Sequence, residues 1–119
     1  MQLLIAVINQ DEKLDDILSG FIALGITGAT VIRTEGMGRV LTHDVPIFAG
    51  LQTLLARARP ENVTIFSVIR DSQKVTAALA LLQDVCGDLN DPATGIAFTV
   101  PVDQVVGLAP ELDTEGLGP

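Results

Sequence analysis

The sequence predicts an α+β domain in which four strands form an antiparallel sheet and two helices cover one face of it. Two observations support this fold class. An apolar segment of strand length is followed by apolar residues at helical spacing, and this pair of patterns occurs twice. The chain has 119 residues, a length that supports one domain with one core.

The first strand–helix–strand unit begins at the N-terminus. Residues 3–8 form a continuous apolar run, which is typical of a central strand that is buried on both faces. Asn9 and Asp11 are expected to cap the next helix, and Gly25 is expected to end it in a left-handed conformation. Residues 27–35 are rich in β-branched side chains and predict the second strand. The apolar residues of the helix are Leu14, Ile17, Leu18, Phe21, Ile22 and Leu24.

The second unit repeats this order. Residues 63–69 predict a strand, Asp71 is expected to cap the following helix, and Gly87 is expected to end it. Residues 95–100 predict the last strand, and residues 102–108 an extended or turn segment. Two such units with right-handed crossovers give the ferredoxin-like βαβ-βαβ sandwich, with both helices on one face. The other face of the sheet is then apolar and open, which predicts an oligomer.

Two segments fall outside this regular pattern. Residues 36–61 form a connection that is long for so small a domain, and such connections are usually functional or disordered. Within it, the apolar residues among residues 47–55 recur at helical spacing. This pattern indicates either packing against the domain or a neighbour, or a helix that binds a partner. His43 is interpreted as a loop residue without a special role. The domain is assigned to residues 1–108, and the acidic residues 109–119, rich in Gly and Pro, are expected to form a flexible tail.

Composition excludes several classes of function. The net charge of −8 argues against nucleic acid and against an anionic membrane surface. Cys86 is the only cysteine, so neither an intrachain disulfide nor a Cys-rich metal site is expected, which fits a reducing, cytoplasmic compartment. Residues 1–8 are predicted to be a strand and not a signal peptide. No catalytic residue and no metal site are assigned, and the chain is predicted not to be an enzyme.

Three motifs in register carry a family resemblance. They are Gly25-Ile26-Thr27-Gly28-Ala29-Thr30-Val31, Gly36-Met37-Gly38-Arg39 and Pro101-Val102-Asp103-Gln104-Val105. Their order and spacing resemble the PII nitrogen-regulatory signalling family from the first strand to Val106. The resemblance implies a homotrimer with adenine-nucleotide sites in the clefts between subunits. It also implies a mobile T-loop, here residues 36–61, through which an enzyme or membrane transporter is regulated.

Nucleotide-binding residues are carried over from the resemblance position by position. Thr30 matches a threonine near the adenine, and Gly95 matches a glycine of the B-loop that wraps the phosphates. At the base of the T-loop the matching residues are Gly36, Met37, Gly38 and Arg39. Glycine suits a close backbone approach to the ligand because it has no side chain. Arg39 is expected to meet a phosphate.

Other positions depart from the family pattern. Val40 replaces the usual glutamine, and Ile96, Gly107 and Ala109 stand where basic residues are expected. The chain has no tyrosine, so the modifiable T-loop tyrosine is absent. The sequence therefore indicates a divergent member whose effector is an adenine nucleotide of low charge, with ADP, AMP and ATP all open. No resident cofactor is assigned.

Three alternatives stay open at this point. The first is a structural or interaction trimer whose nucleotide site has decayed, which the missing basic residues favour. The second is an acylphosphatase-like hydrolase, but the phosphate loop this chemistry needs does not follow Asn9. The third is a divalent-cation-tolerance protein, which shares the fold and trimer but fits the three motifs less well.

Overall fold

The computed structural model describes residues 1–37, 40, 62–90 and 94–112. They form four strands: β1 (Gln2–Ile8), β2 (Thr30–Thr34), β3 (Asn62–Ile69) and β4 (Gly95–Pro101). A 3₁₀ turn (Asp11–Lys13) leads into helix α1 (Leu14–Ala23), and helix α2 (Ser72–Cys86) connects β3 to β4. The strand order is β2-β3-β1-β4, and every neighbouring pair is antiparallel. The predicted ferredoxin-like α+β fold is therefore confirmed.

The core lies between the sheet and the two helices. Alternate residues of β1 face the helices, so Leu4, Ala6 and Ile8 are buried there. Ile17 and Phe21 of α1 pack into the same cluster. The remaining buried apolar residues come from β3, α2 and the loop after α1: Ile26, Val63, Ile65, Ile69, Val75, Ala78, Leu82 and Cys86.

The opposite face of the sheet is apolar and uncovered in the single chain. Cross-strand pairing places Leu3 beside Val100 and Ile5 beside Phe98 on this face. Phe98 is 43% exposed, and Ile96 is 57% exposed. We call this surface, formed by the outward residues of the four strands, the open sheet face. Exposed apolar surface of this extent on a strand array indicates a contact with another molecule.

The residues at the helix ends agree with the prediction except at the start of α1. Gly25 and Gly87 end α1 and α2 with φ of +89° and +85°, as predicted. The Asp71 side chain accepts a 2.8 Å hydrogen bond from Gln73 N–H and caps α2. At the first helix the N-cap positions differ from the prediction: Gln10 and Lys13 occupy them and make no side-chain cap bond. The Asp11 carboxylate instead accepts from Arg33 at 3.4 Å.

Replacing the α2 cap tests its contribution to stability. Asp71→Ala removes the only side-chain acceptor that the structure gives to the Gln73 amide. We expect the free energy of unfolding to fall by about 1 kcal/mol, the usual value for such a cap. Urea unfolding at fixed protein concentration measures this, and Asp71→Asn, which keeps an acceptor, should lose much less.

The second strand begins later than the sequence predicts. β2 starts at Thr30 and not at residue 27, because residues 25–28 make hydrogen bonds outside the sheet. The Thr27 hydroxyl donates to the Pro110 carbonyl, and the Gly28 carbonyl accepts from the Ser67 hydroxyl at 2.6 Å.

The start of the predicted tail lies against the domain. We call residues 109–112 the C-terminal strap. Its Leu112 N–H donates to the Gly25 carbonyl at 2.8 Å. Residues 113–119 lie outside the described residues, so the flexibility of the tail and the boundary at residue 108 stay predictions.

Candidate functional site

A cleft lies beside the first predicted ligand-binding residue, Thr30. Thr30 begins β2 and pairs with Phe66 of β3. The cleft has a volume of about 350 Å³ and is lined by Leu3, residues 28–30, residues 66–68, Val105 and residues 107–109. It therefore lies between the start of β2, the middle of β3 and the segment that leads into the C-terminal strap.

The described wall of this cleft is uncharged. No residue that lines it is acidic or basic. Within the described part of the chain the Thr30 hydroxyl makes no hydrogen bond and is free to meet a ligand. The neighbouring Ser67 hydroxyl is already used, because it donates to the Gly28 carbonyl. The wall offers apolar surface and one free hydroxyl, which suits a flat, weakly polar group better than a phosphate.

The other described candidates lie at the far end of the sheet. Thr34 ends β2 opposite Asn62, and Gly36 follows two residues later. A Cβ on Gly36 would lie 3.6 Å from Asn62 Nδ2. Gly95 pairs with Ile8 at this same end. Since a strand rises about 3.3 Å per residue, Thr30 lies roughly 13 Å from the Thr34 end. One chain therefore does not bring Thr30 together with Gly36 and Gly95.

The chain turns immediately after Gly36. Val40 N–H donates to the Gly36 carbonyl at 3.2 Å, and Met37 between them is 75% exposed. Gly38 and Arg39 lie outside the described residues, as do His43 and residues 47–55 of the predicted T-loop. Their assigned roles stay predictions.

Gly95 has a structural reason to be glycine. Its φ is +149°, and a Cβ there would lie 2.4 Å from the Val7 carbonyl oxygen. Both observations exclude a larger residue without a shift of β1 or β4. The glycine therefore serves strand packing, whatever part it has in binding a ligand.

A polar network that the sequence analysis missed joins the strand ends beneath the predicted loop. The Thr34 hydroxyl donates to Asn62 Oδ1 and lies 2.9 Å from the Thr64 hydroxyl. Asn62 Nδ2 in turn donates to Asn9 Oδ1 at 3.5 Å. Asn62 and Thr64 are buried, so these bonds are needed to offset their desolvation. The sequence signal for this network is the pair of polar residues Asn62 and Thr64 at alternate positions of an otherwise apolar strand.

The positions that depart from the family pattern are accounted for by their conformation. Ile96 is exposed on the open sheet face. Gly107 has φ of +84° with open space around it, a conformation that arginine rarely adopts. Ala109 packs its methyl group against Gly28, where an added Cβ would lie 2.6 Å away.

Comparison with known protein families identifies the family of this chain. The family model described as "Nitrogen regulatory protein P-II" matches residues 1–111. This chain belongs to the P-II family. Proteins of the P-II family are signalling proteins and not enzymes, and they are typically trimeric. A comparison with curated proteins found no significant match.

One reactive side chain of this P-II family protein, the Cys86 thiol, is part of the core. Cys86 is buried in the core, and burial raises the pKa of its thiol, so it stays protonated at neutral pH. Among the described residues, no three His, Cys, Asp or Glu side chains are grouped to hold a metal ion. No helix in this part of the chain is long and apolar enough to span a membrane.

Proposed function

We propose that this P-II family protein is a cytoplasmic homotrimer that binds an adenine nucleotide in the clefts between subunits. Ligand binding changes the order of the T-loop, and a partner enzyme or transporter responds to that change. The observation that carries the proposal is the separation of Thr30 from Gly36 and Gly95. The proposal assigns Thr30 to one subunit and the two glycines to its neighbour, so that one ligand between the subunits contacts both.

The open sheet face supports the oligomer in this proposal. Its outward residues on β1 and β4 are apolar, and Phe98 and Val100 remain more than 40% exposed in the single chain. Burying apolar surface contributes about 25 cal/mol per Å², so packing this face against two other copies stabilises the assembly.

The cleft supports a ligand of low charge. Its described wall has one free hydroxyl and no cation, and Gly107 and Ala109 carry no basic side chain. Arg39 is the one cation assigned to the phosphates. With a single assigned cation, we expect ADP and AMP to fit the site better than ATP.

Calorimetric titration of the full chain with ATP, ADP, AMP and cyclic AMP, with and without magnesium, tests the proposal. We expect micromolar binding of at least one of these nucleotides, with ATP no tighter than ADP because Arg39 is the only cation assigned to the phosphates. The absence of binding by all four would contradict the proposal.

Thr30→Val tests the assigned role of the free hydroxyl. The two side chains have nearly the same shape, so the variant removes a hydrogen bond without removing volume. A neutral hydrogen bond contributes about 1 kcal/mol, so affinity for the bound nucleotide should fall roughly fivefold. Thr76→Val is the control, because the Thr76 hydroxyl lies on α2 and donates within that helix. Equal affinities for wild type and Thr30→Val would remove Thr30 from the site.

A structural trimer without a nucleotide site is the second candidate. The observation that favours it is the absence of cations at Ile96, Gly107 and Ala109. It predicts the same oligomer and the same partner binding in the presence and absence of nucleotide, so the titration separates the two candidates.

A further inference from the structure

The C-terminal strap is held by hydrogen bonds at both of its sides. On one side Pro110 and Leu112 bond to the loop after α1, through the Thr27 hydroxyl and the Gly25 carbonyl. On the other side the Glu111 carboxylate accepts from Arg70 N–H at 2.5 Å, just before α2. The strap therefore connects the loop after α1 to the residue just before α2, two places that are distant in sequence.

The loop after α1 is shaped to receive the strap. A Cβ on Gly25 would lie 2.1 Å from the Leu112 carbonyl oxygen, and a Cβ on Gly28 would lie 2.6 Å from the Ala109 methyl group. Neither approach is possible with a larger residue in place. Two glycines of the Gly25–Gly28 segment therefore serve the contact with the strap.

One side chain of α2 joins two groups of the strap. Lys74 Nζ donates to the Leu112 carbonyl at 2.5 Å and lies 3.9 Å from Glu111 Oε2. The side chains of Lys74 and Glu111 are only 15% and 17% exposed, so water screens this pair less than an ordinary surface ion pair. A second ion pair, between Arg33 and Asp11, is far more exposed at 64% and 43%.

The strap also belongs to the wall of the cleft beside Thr30. Its first residue, Ala109, lines the cleft together with Leu108 and packs against Gly28, which lines the cleft as well. If the strap leaves its place, the cleft loses this wall while the sheet that bears Thr30 stays intact.

We propose that Lys74 and Glu111 form a latch that holds the strap in place and thereby sets the shape of the cleft. Both are positioning residues, because neither lines the cleft beside Thr30. The retention of the strap follows from contacts within the chain alone, whereas its effect on ligand affinity rests on the proposed function.

Amide hydrogen exchange of the full chain tests the latch. Lys74→Gln should speed exchange of the Leu112 amide about tenfold, because a hydrogen bond to a charged group contributes roughly 1.5 kcal/mol or more. Glu111→Gln should speed exchange of the Arg70 amide, because the Glu111 carboxylate accepts a hydrogen bond from this amide in the wild type. The amide of Ile65 in β3 should keep its wild-type rate in both variants, which shows that the core is folded.

Lys13→Gln is the matched control, since it removes a lysine charge far from the strap, in the turn before α1. Unchanged exchange at Leu112 in Lys74→Gln, or an equal increase in Lys13→Gln, would overturn the latch.

Nucleotide titration of the same variants then tests the link to the cleft. Weaker binding by the two latch variants and not by Lys13→Gln is expected, and unchanged binding with a released strap would overturn that link. If wild type binds none of the nucleotides, the proposed function fails while the exchange rates still decide the latch.

Discussion

Phe98→Asp is expected to convert the oligomer into single chains. Phe98 lies near the middle of β4 on the open sheet face, opposite Ile5 of β1. Its side chain is 43% exposed in the single chain, so it is accessible to a neighbouring copy. Placing a carboxylate in an apolar interface without a partner costs roughly 3 kcal/mol or more for each chain, and the cost is incurred in every subunit.

Light scattering after size exclusion measures the result directly. Wild type should have three times the chain mass of 12.5 kDa, and Phe98→Asp should have the mass of one chain. Because Phe98 is outside the buried core cluster, the variant chain should remain folded, which far-UV circular dichroism checks.

Ile22→Asp is the control for this experiment. Ile22 lies on α1, on the other side of the molecule from the open sheet face, and it is 49% exposed. The two variants thus place the same charge at positions of similar exposure. Loss of the oligomer in both, or in neither, would show that the open sheet face is not the contact surface.

The sequence predicts the strands and helices well because local patterns determine them. Residues 3–8 could be recognised as a central strand from their unbroken apolar run, and β1 is indeed paired on both edges. The start of β2 was placed too early because Gly25 and Thr27 bond to the strap, more than 80 positions away in sequence. A local pattern contains no information about such a distant partner.

The site was less predictable than the fold for a related reason. Thr30 and Gly36 are close neighbours along the chain, and the family resemblance assigns both to one ligand. The path of β2 separates them by most of the length of the strand, which their nearness in sequence does not show. The network of Thr34, Asn62 and Thr64 was missed because the bonds form across strands whose register the sequence does not show.

Gly25→Ala is expected to destabilise the protein more than the backbone change alone would, because it also displaces the strap, whereas Gly87→Ala changes the backbone only. Both glycines have a positive φ, +89° and +85°, so both variants incur a backbone penalty, and Gly87 with its ψ of −175° lies outside the left-handed helical region. A Cβ at Gly87 meets no atom within 4 Å, whereas one at Gly25 would lie 2.1 Å from the Leu112 carbonyl oxygen.

The free energies of the two variants, taken together with the protection of the Leu112 amide, separate the contribution of the strap from that of backbone strain. Urea unfolding at equal protein concentration gives the two free energies, since subunit assembly makes stability depend on concentration. Exchange at the Leu112 amide should increase in Gly25→Ala and stay at its wild-type rate in Gly87→Ala. If both variants lose the same free energy and Leu112 stays protected, the strap does not stabilise the fold, and Gly25 is required for its backbone conformation alone.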